Sequence, residues 1–183
     1  MTISVISGNK KKEFMLSKKQ QSWLVVGIVL LALVLDQVSK VYIKTHFQLG
    51  EAREVFSWFW IVFVENNGMA FGIEWFSKLL LTLFRIVAVG LIGWYIHTAI
   101  HRQTVRIGYL TTIAMVMAGA MGNIIDCVFY GKIWEYADWF HGRVVDMLYF
   151  PLIRNAAGEC LFFRPVFNIA DSFITVAVFL III

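Results

Sequence analysis

The sequence predicts an all-α membrane protein of four transmembrane helices, with a small extracytoplasmic β element and an outer amphipathic segment or loop. Three observations support this fold class: 60% of the 183 residues are hydrophobic, only 15% are charged, and four apolar stretches approach the 20 or so residues that a bilayer requires. A soluble domain of mean hydropathy +0.74 would aggregate. Four spans use roughly 80 residues, so we expect a single domain over 1–183.

The first predicted span covers residues 23–43. Its apolar run from Trp23 to Leu35 meets a polar cluster that ends at Lys40, and apolar residues resume at Val41. A basic start followed by an apolar run also suits a secretory signal, but no A-x-A cleavage site follows and the helical pattern continues. We therefore expect a retained membrane anchor.

The other predicted spans cover 79–100, 107–130 and 166–183. The second and third are joined by a short basic connection, and the first is preceded by five lysines with only one acidic neighbour. Basic loops stay in the cytoplasm, so both termini are predicted to be cytoplasmic and the two connections of mixed charge to lie outside. The net charge of +4 is thus explained by the orientation of the chain in the membrane and by attraction of its basic segments to anionic lipid headgroups. No nucleic-acid-binding motif is found, and no nucleic-acid partner is expected.

The first outer segment, residues 52–73, is predicted to form the β element. It is rich in aromatic and β-branched residues, and Asn67-Gly68 is a strong turn signal. Its aromatic residues favour the headgroup zone of the membrane. A re-entrant apolar loop is the alternative, and it is less favourable because backbone in lipid needs internal partners.

The second outer segment covers residues 131–165. It begins with an aromatic stretch, KIWEYADWFHG, that is typical of an interfacial amphipathic turn or helix. Asp146 follows two β-branched residues. The remainder, between Pro151 and Pro165, suits either a flexible lid or a plain surface connection.

Five charged residues lie within the predicted spans: Asp36, Lys40, Arg85, Asp126 and Asp171. At about 1.5 Å per residue, Asp36 stands roughly 20 Å above the cytoplasmic edge, and the others also fall toward the outer leaflet. If they were unpaired, placing these five charges in the membrane would cost on the order of 10 kcal/mol in free energy. They are therefore expected to pair or to line a wet cavity.

Spacing suggests how these groups pair. Asp36 and Lys40 are four residues apart on one helix face, which favours a local ion pair. Asn123 with Asp126, and Asn168 with Asp171, each place an amide beside a carboxylate. Hydrogen bonding between helices explains such pairs as well as a functional site does.

Aspartic chemistry suits these residues best. No HExxH motif, His/Cys cluster, G-x-S-x-G elbow or phosphate-binding glycine loop is present, so neither metal nor cofactor is expected. Two neighbouring aspartates can share one proton. One member then takes a proton from water while the other polarises the scissile carbonyl. Cys127 and Cys160 do not form a CxxC pair, although a bridge between them is open.

Five motifs in order resemble those of the lipoprotein signal peptidases, the signal peptidase II family. The resemblance covers Asp36 to Ile174 and consists of DQVSK at 36–40, NNGMAFG at 66–72, GNIID at 122–126, VVD at 144–146 and FNIAD at 167–171. Each motif alone is weak, whereas five in the same order are specific.

The resemblance implies an aspartic endopeptidase with Asp146 and Asp171 as the catalytic pair. Residues implied to support the site or bind substrate are Asp36, Lys40, Asn66, Gly68, Asn123, Asp126, Asn168 and Ala170. It also implies cleavage of diacylglyceryl-modified prolipoproteins just before the lipidated cysteine, and inhibition by globomycin. We further expect a monomer in the bacterial inner membrane, in contact with membrane lipids, with its active site toward the extracytoplasmic face.

Two departures from the family pattern stand out. Family members commonly have Arg directly after the third-helix aspartate, where this chain has Cys127. The hypothesis that follows is that Arg143 supplies the missing charge partner of Asp126. The two predicted catalytic aspartates are also 171 − 146 = 25 residues apart, a few more than is common. The extra residues fall in an outer loop, where insertions are tolerated.

Two other functions fit intramembrane acids. A small transporter or ion pathway would depend on Asp36 and Asp171 but not on Asp146. A noncatalytic scaffold held by amide contacts would tolerate Asp→Asn changes at 146 and 171.

Overall fold

A computed structural model describes residues 16–66, 78–155, 160–162 and 165–183. In these ranges the chain is mostly helical and carries a small antiparallel sheet. The elements are α1 Lys18–His46, β1 Ala52–Phe56, β2 Phe59–Asn66, α2 Lys78–Arg102, α3 Ile107–Ile125, a π-helical turn Asp126–Tyr130, α4 Gly131–Ile133, β3 Val144–Tyr149, β4 Ile153–Arg154, β5 Cys160–Phe162, β6 Val166–Phe167 and α5 Ile169–Ile182.

Within the described ranges, three helical runs are long and apolar enough to cross a membrane: Lys18–His46, Lys78–Arg102 and Ile107–Ile133. The first begins five residues before its predicted start because Ser17 caps it. The Ser17 side chain accepts from the Gln20 amide, and the Gln20 side chain accepts from the Ser17 amide, which satisfies two backbone donors at once.

Helix α5 is apolar but has only 14 residues, and it begins three residues later than predicted. Val166 and Phe167 form strand β6 instead of helix, and Asn168 caps α5 by accepting from the Asp171 amide. Asn is a favoured cap because its side-chain oxygen satisfies an otherwise unpaired N–H.

The main sheet has the strand order β1-β2-β3-β6, with every neighbouring pair antiparallel. Strands within residues 52–66 confirm the predicted β element for its described part, while the Asn67-Gly68 turn lies outside the described residues. The sheet is larger than predicted, because the segment expected to be an amphipathic turn or loop contributes β3. The β-branched residues Val144 and Val145 are buried in that strand, as strand propensity favours.

The alternation of side chains along β3 positions Asp146. Val145 and Met147 pack into a cluster with Ile43 of α1 and Phe63 of β2. Because successive side chains in a strand face opposite sides, Asp146 points to the other face of the sheet. Its Cα partner on β2 is Val64.

Small residues allow α3 to lie close to α5. Ala114, Ala118 and Gly119 of α3 are buried, and a Cβ added at Gly119 would lie 2.4 Å from the Ala170 carbonyl oxygen and 2.6 Å from Ile174 Cγ1. Close backbone approach through small residues is the usual packing of membrane helices.

Gly119→Ala should therefore destabilise the protein by about 1 to 3 kcal/mol, because the added methyl meets backbone that cannot yield locally. Gly108→Ala in the same helix is the matched control, since a Cβ there meets nothing within 4 Å. Unfolding of both variants in mixed detergent micelles measures the difference. Equal stability of the two variants would contradict this account of the α3–α5 contact.

Candidate active site

Asp146 and Asp171 lie in one hydrogen-bonded cluster, although they come from different elements. Asn168 Nδ2 donates to Asp146 Oδ1 at 2.7 Å, and Asn123 Nδ2 donates to Asp171 Oδ1 at 2.8 Å. The two amides are themselves joined, because Asn168 Nδ2 also donates to Asn123 Oδ1 at 3.1 Å. Thus β3, α3 and the start of α5 meet at a single group of amides and carboxyls.

The remaining carboxyl oxygens of the two aspartates also have amide donors. Asn66, the last residue of β2, donates through Nδ2 to Asp146 Oδ2. The backbone amide of Asn168 lies 3.4 Å from Asp171 Oδ2. Each carboxyl group is therefore held in a fixed orientation by neutral donors.

Burial sets the electrostatics of Asp146, which is only 2% exposed. Loss of hydration, followed by the nearby charge of Asp171, raises the pKa of this carboxyl from its ordinary value of 3.8 to about 7. The hydrogen bonds from Asn168 and Asn66 and the charge of Lys40 act in the opposite direction. A carboxyl with a near-neutral pKa beside a second carboxyl can hold a proton in common with it.

A buried charge cluster lies directly against this group. The ammonium of Lys40 is 2.8 Å from Asp36 Oδ2 and 2.8 Å from Asp126 Oδ2, and it donates to Asn123 Oδ1 at 3.0 Å. The predicted pairing of Asp36 with Lys40 is confirmed, and Lys40 also serves a second acid from another helix. All three charged side chains are at most 1% exposed.

The two acids of the charge cluster hold the backbone that carries the aspartates. Asp36 Oδ1 accepts from the Ala170 amide at 2.9 Å, next to Asp171. Asp126 Oδ2 accepts from the Val145 amide at 3.2 Å, next to Asp146. The cluster thereby fixes the start of α5 and the middle of β3.

Sequence reasoning missed Gln37 and Tyr130 as members of this network. Gln37 Nε2 donates to Asp36 Oδ2 at 3.0 Å and to Asp126 Oδ1 at 3.0 Å, and Tyr130 donates through its hydroxyl to Gln37 Oε1 at 3.1 Å. A polar amide directly after a buried aspartate in a span was the available signal for Gln37. Tyr130, 93 residues away, has no comparable signal.

Arg143 requires a correction, because it does not supply the charge partner of Asp126. Its guanidinium is half exposed and lies 3.3 Å from Glu65, whereas Lys40 pairs with Asp126. Both carboxylate oxygens of Asp126 are already bound, Oδ1 by Gln37 and Oδ2 by Lys40 and the Val145 amide. Gly68 lies outside the described residues.

At the position where a family arginine was expected, Cys127 is buried and accepts from Arg85 Nη1 of α2 at 3.5 Å. Cys127 and Cys160 are both free thiols, so no disulfide joins them. The described residues contain no group of three or more His, Cys, Asp or Glu side chains placed for a metal ion.

Apolar helices of membrane-spanning length, and a carboxylate-rich cluster at the junction of helix and sheet, define a membrane-embedded hydrolase of the aspartic class. The chain belongs to the signal peptidase II family, whose model, described as Signal peptidase (SPase) II, matches residues 28–183. The resemblance seen in the five motifs is thus confirmed.

Relatives with known names agree with this assignment. A lipoprotein signal peptidase of Porphyromonas gingivalis is 42% identical over 192 aligned positions, which cover 92% of this chain and 85% of the relative. One from Amoebophilus asiaticus is 37% identical, covering 87% and 76% of the two chains. A bacterial membrane enzyme solved at 2.3 Å by the in meso method superposes with a TM-score of 0.64 at 28% identity, covering 90% of this chain and 85% of that one.

Proposed function

We propose that this chain removes the signal peptide from diacylglyceryl-modified bacterial prolipoproteins, cutting just before the lipid-modified cysteine. Asp146 and Asp171 are the catalytic pair. The observation that carries the proposal is the amide-linked cluster in which both carboxyls are held beside apolar helices. The names of the family relatives, lipoprotein signal peptidases, support the substrate class.

The pair acts by sharing one proton. The ionised member takes a proton from water as the water attacks the scissile carbonyl, and the protonated member donates to the carbonyl oxygen. Because the two carboxyls share the proton, neither role belongs permanently to one residue. Asn66, Asn123 and Asn168 keep the carboxyls oriented throughout, and their fixed geometry lowers the reorganisation needed in the transition state.

Four membrane spans, with both termini in the cytoplasm, complete the proposal. Helix α5 would span about 21 Å as a helix of 14 residues, and β6 and the cap at Asn168 extend it to the outer surface. The site then faces the extracytoplasmic side of the bacterial inner membrane. In this arrangement the protein acts as a single-domain monomer among membrane lipids, takes substrate from the bilayer and is inhibited by globomycin.

The test is cleavage by the purified protein in detergent. A prolipoprotein carrying the diacylglyceryl group should be cut immediately before its modified cysteine, which mass spectrometry of the product identifies. The same precursor without the lipid should be cut much more slowly, because the lipid's binding energy is then lost at the reacting centre. Equal cleavage of both precursors, or none of either, would contradict the proposal.

Activity should decrease as the pH rises through neutrality. The pKa of Asp146, raised to about 7, keeps a proton on this carboxyl below that pH, and above it the pair loses the proton that it shares. We expect kcat to fall about tenfold per pH unit on the alkaline side. The free energy of unfolding should also decrease as the pH rises. The pKa of Asp146 in the folded protein exceeds its ordinary value, so ionisation of this carboxyl disfavours the fold between about pH 4 and 7. A kcat that is flat from pH 6 to 9 would contradict this assignment.

A further inference from the structure

Lys44 lies one helical turn beyond Lys40 on α1 and is held in a second, separate ion pair. Its ammonium contacts Glu65 of β2, and both side chains are 8% exposed. Three aromatic rings surround the same ammonium: Phe63 at 5.5 Å, Trp134 at 5.2 Å and Tyr136 at 5.2 Å from its nitrogen. A cation that is partly desolvated over several rings is held more firmly than one at a surface.

Glu65 is bound on both of its carboxylate oxygens. Lys44 contacts Oε1, and Arg143 donates to Oε2 at 3.3 Å. Lys44 belongs to α1 and Arg143 directly precedes β3, so Glu65 ties the end of β2 to both elements. We name this three-residue group, Lys44, Glu65 and Arg143, the β2 anchor.

The residue after Glu65 is Asn66, which donates to Asp146. Successive side chains in a strand face opposite sides, so Glu65 points toward α1 while Asn66 points to the face that carries Asp146. A two-point attachment of Glu65 therefore restricts displacement of the end of β2, which would carry Asn66 away from Asp146.

We propose that Glu65 is a positioning residue that fixes Asn66 against Asp146 through the β2 anchor. The inference rests on the proposed function, because it assigns Glu65 a role in the catalytic geometry. It does not make Glu65 catalytic, since its carboxylate contacts Lys44 and Arg143 and no reacting group.

Another ion pair of this sheet supplies a matched control. Glu51 pairs with Arg53 at 2.7 Å, but the two side chains are 31% and 52% exposed. Neither is adjacent in sequence to the aspartate cluster, which consists of Asp146, Asp171 and their asparagine partners Asn66, Asn123 and Asn168. Glu51→Gln removes the same charge by the same isosteric change as Glu65→Gln. It should leave cleavage unchanged within about twofold.

The experiment is a double-mutant cycle in the cleavage assay, with wild type, Glu65→Gln, Asn66→Ala and the double variant. Glu65→Gln should lower kcat about tenfold and change KM less than about twofold, because misplacement of a supporting group affects the transition state. In the Asn66→Ala background the same change should have almost no further effect. Folding of each variant is verified by its thermal transition, and Lys44→Met replaces Glu65→Gln in the cycle if the latter does not fold.

The pH profile gives an independent readout. The hydrogen bond from Asn66 favours ionised Asp146, which is also faced by Asp171 of α5, Lys40 of α1 and the Asn168 amide. Loosening Asn66 should therefore move the alkaline limb of kcat to higher pH in Glu65→Gln, and leave it in place in Glu51→Gln.

The outcomes separate the two proposals. Cleavage by wild type, with an equal loss from Glu65→Gln in both backgrounds and an unmoved pH limb, overturns the positioning role while the proposed function stands. A wild-type protein whose cleavage does not depend on Asp146 and Asp171 overturns both.

Discussion

Asp146→Asn and Asp171→Asn should each reduce cleavage of a lipidated prolipoprotein by about 10³-fold or more. An amide at either position can neither accept the proton of the attacking water nor share one with its neighbour, and general acid–base catalysis contributes about 10² to 10⁴ in rate. The loss should appear in kcat, because binding of the lipid and the peptide does not use the shared proton. Steady-state cleavage in detergent measures both parameters.

Asp138→Asn is the control for this experiment, since Asp138 is exposed in the same outer segment and lies outside the aspartate cluster. It should cleave at the wild-type rate. Both amide variants are nearly isosteric, and thermal transitions close to wild type would show that the loss is chemical. Full activity of either variant would contradict the proposed catalytic pair. A wild-type protein that does not cleave, with transport that depends on Asp171 but not on Asp146, would instead favour the transporter class of function.

Lys40→Met should produce the largest loss of stability of any change considered. The ammonium of Lys40 faces two carboxylates at 2.8 Å each, all with side chains at most 1% exposed. Removing one partner of a buried ion pair costs about 3 to 5 kcal/mol, because the remaining charge is left uncompensated. Here two acids lose their partner. Unfolding in mixed detergent micelles with increasing SDS measures the free energy.

Two further variants test the cause of that loss. Lys132→Met removes an exposed lysine and should change stability by less than about 0.5 kcal/mol. The triple variant Asp36→Asn, Lys40→Met and Asp126→Asn should recover part of the loss, since neutral groups carry a much smaller desolvation penalty than unpaired carboxylates. A Lys40→Met protein within about 1 kcal/mol of wild type would show that the acids are compensated elsewhere.

Much of the polar cluster could be predicted because its members obey local spacing rules. Asp36 and Lys40 share a helix face, and Asn168 with Asp171 forms the cap of α5. The rise per residue also placed these groups toward one end of the helices. The sequence also contains a signal for the early start of α1, since Ser17 and Gln20 have the spacing of a capping box.

What could not be predicted depends on long-range pairing. The position of Asp146 is set by β2, and Asn66 lies 80 residues away from it in sequence. No spacing rule connects strands so far apart, so the sequence alone predicts an outer loop around Asp146. The choice of Lys40 over Arg143 as the partner of Asp126 likewise depends on how α1 and α3 pack, which charge and sequence distance do not determine.

The aspartate cluster and the charge cluster beside it draw their parts from α1, β2, α3, β3 and α5, and this has a consequence for biosynthesis. A nascent chain whose last helix has not yet joined the others lacks both Asp171 and the Asn168 amide that orients Asp146. If Asp146 and Asp171 are the catalytic pair, as proposed, such a chain cannot cleave the lipidated precursors around it. Latency before assembly then follows from the topology itself.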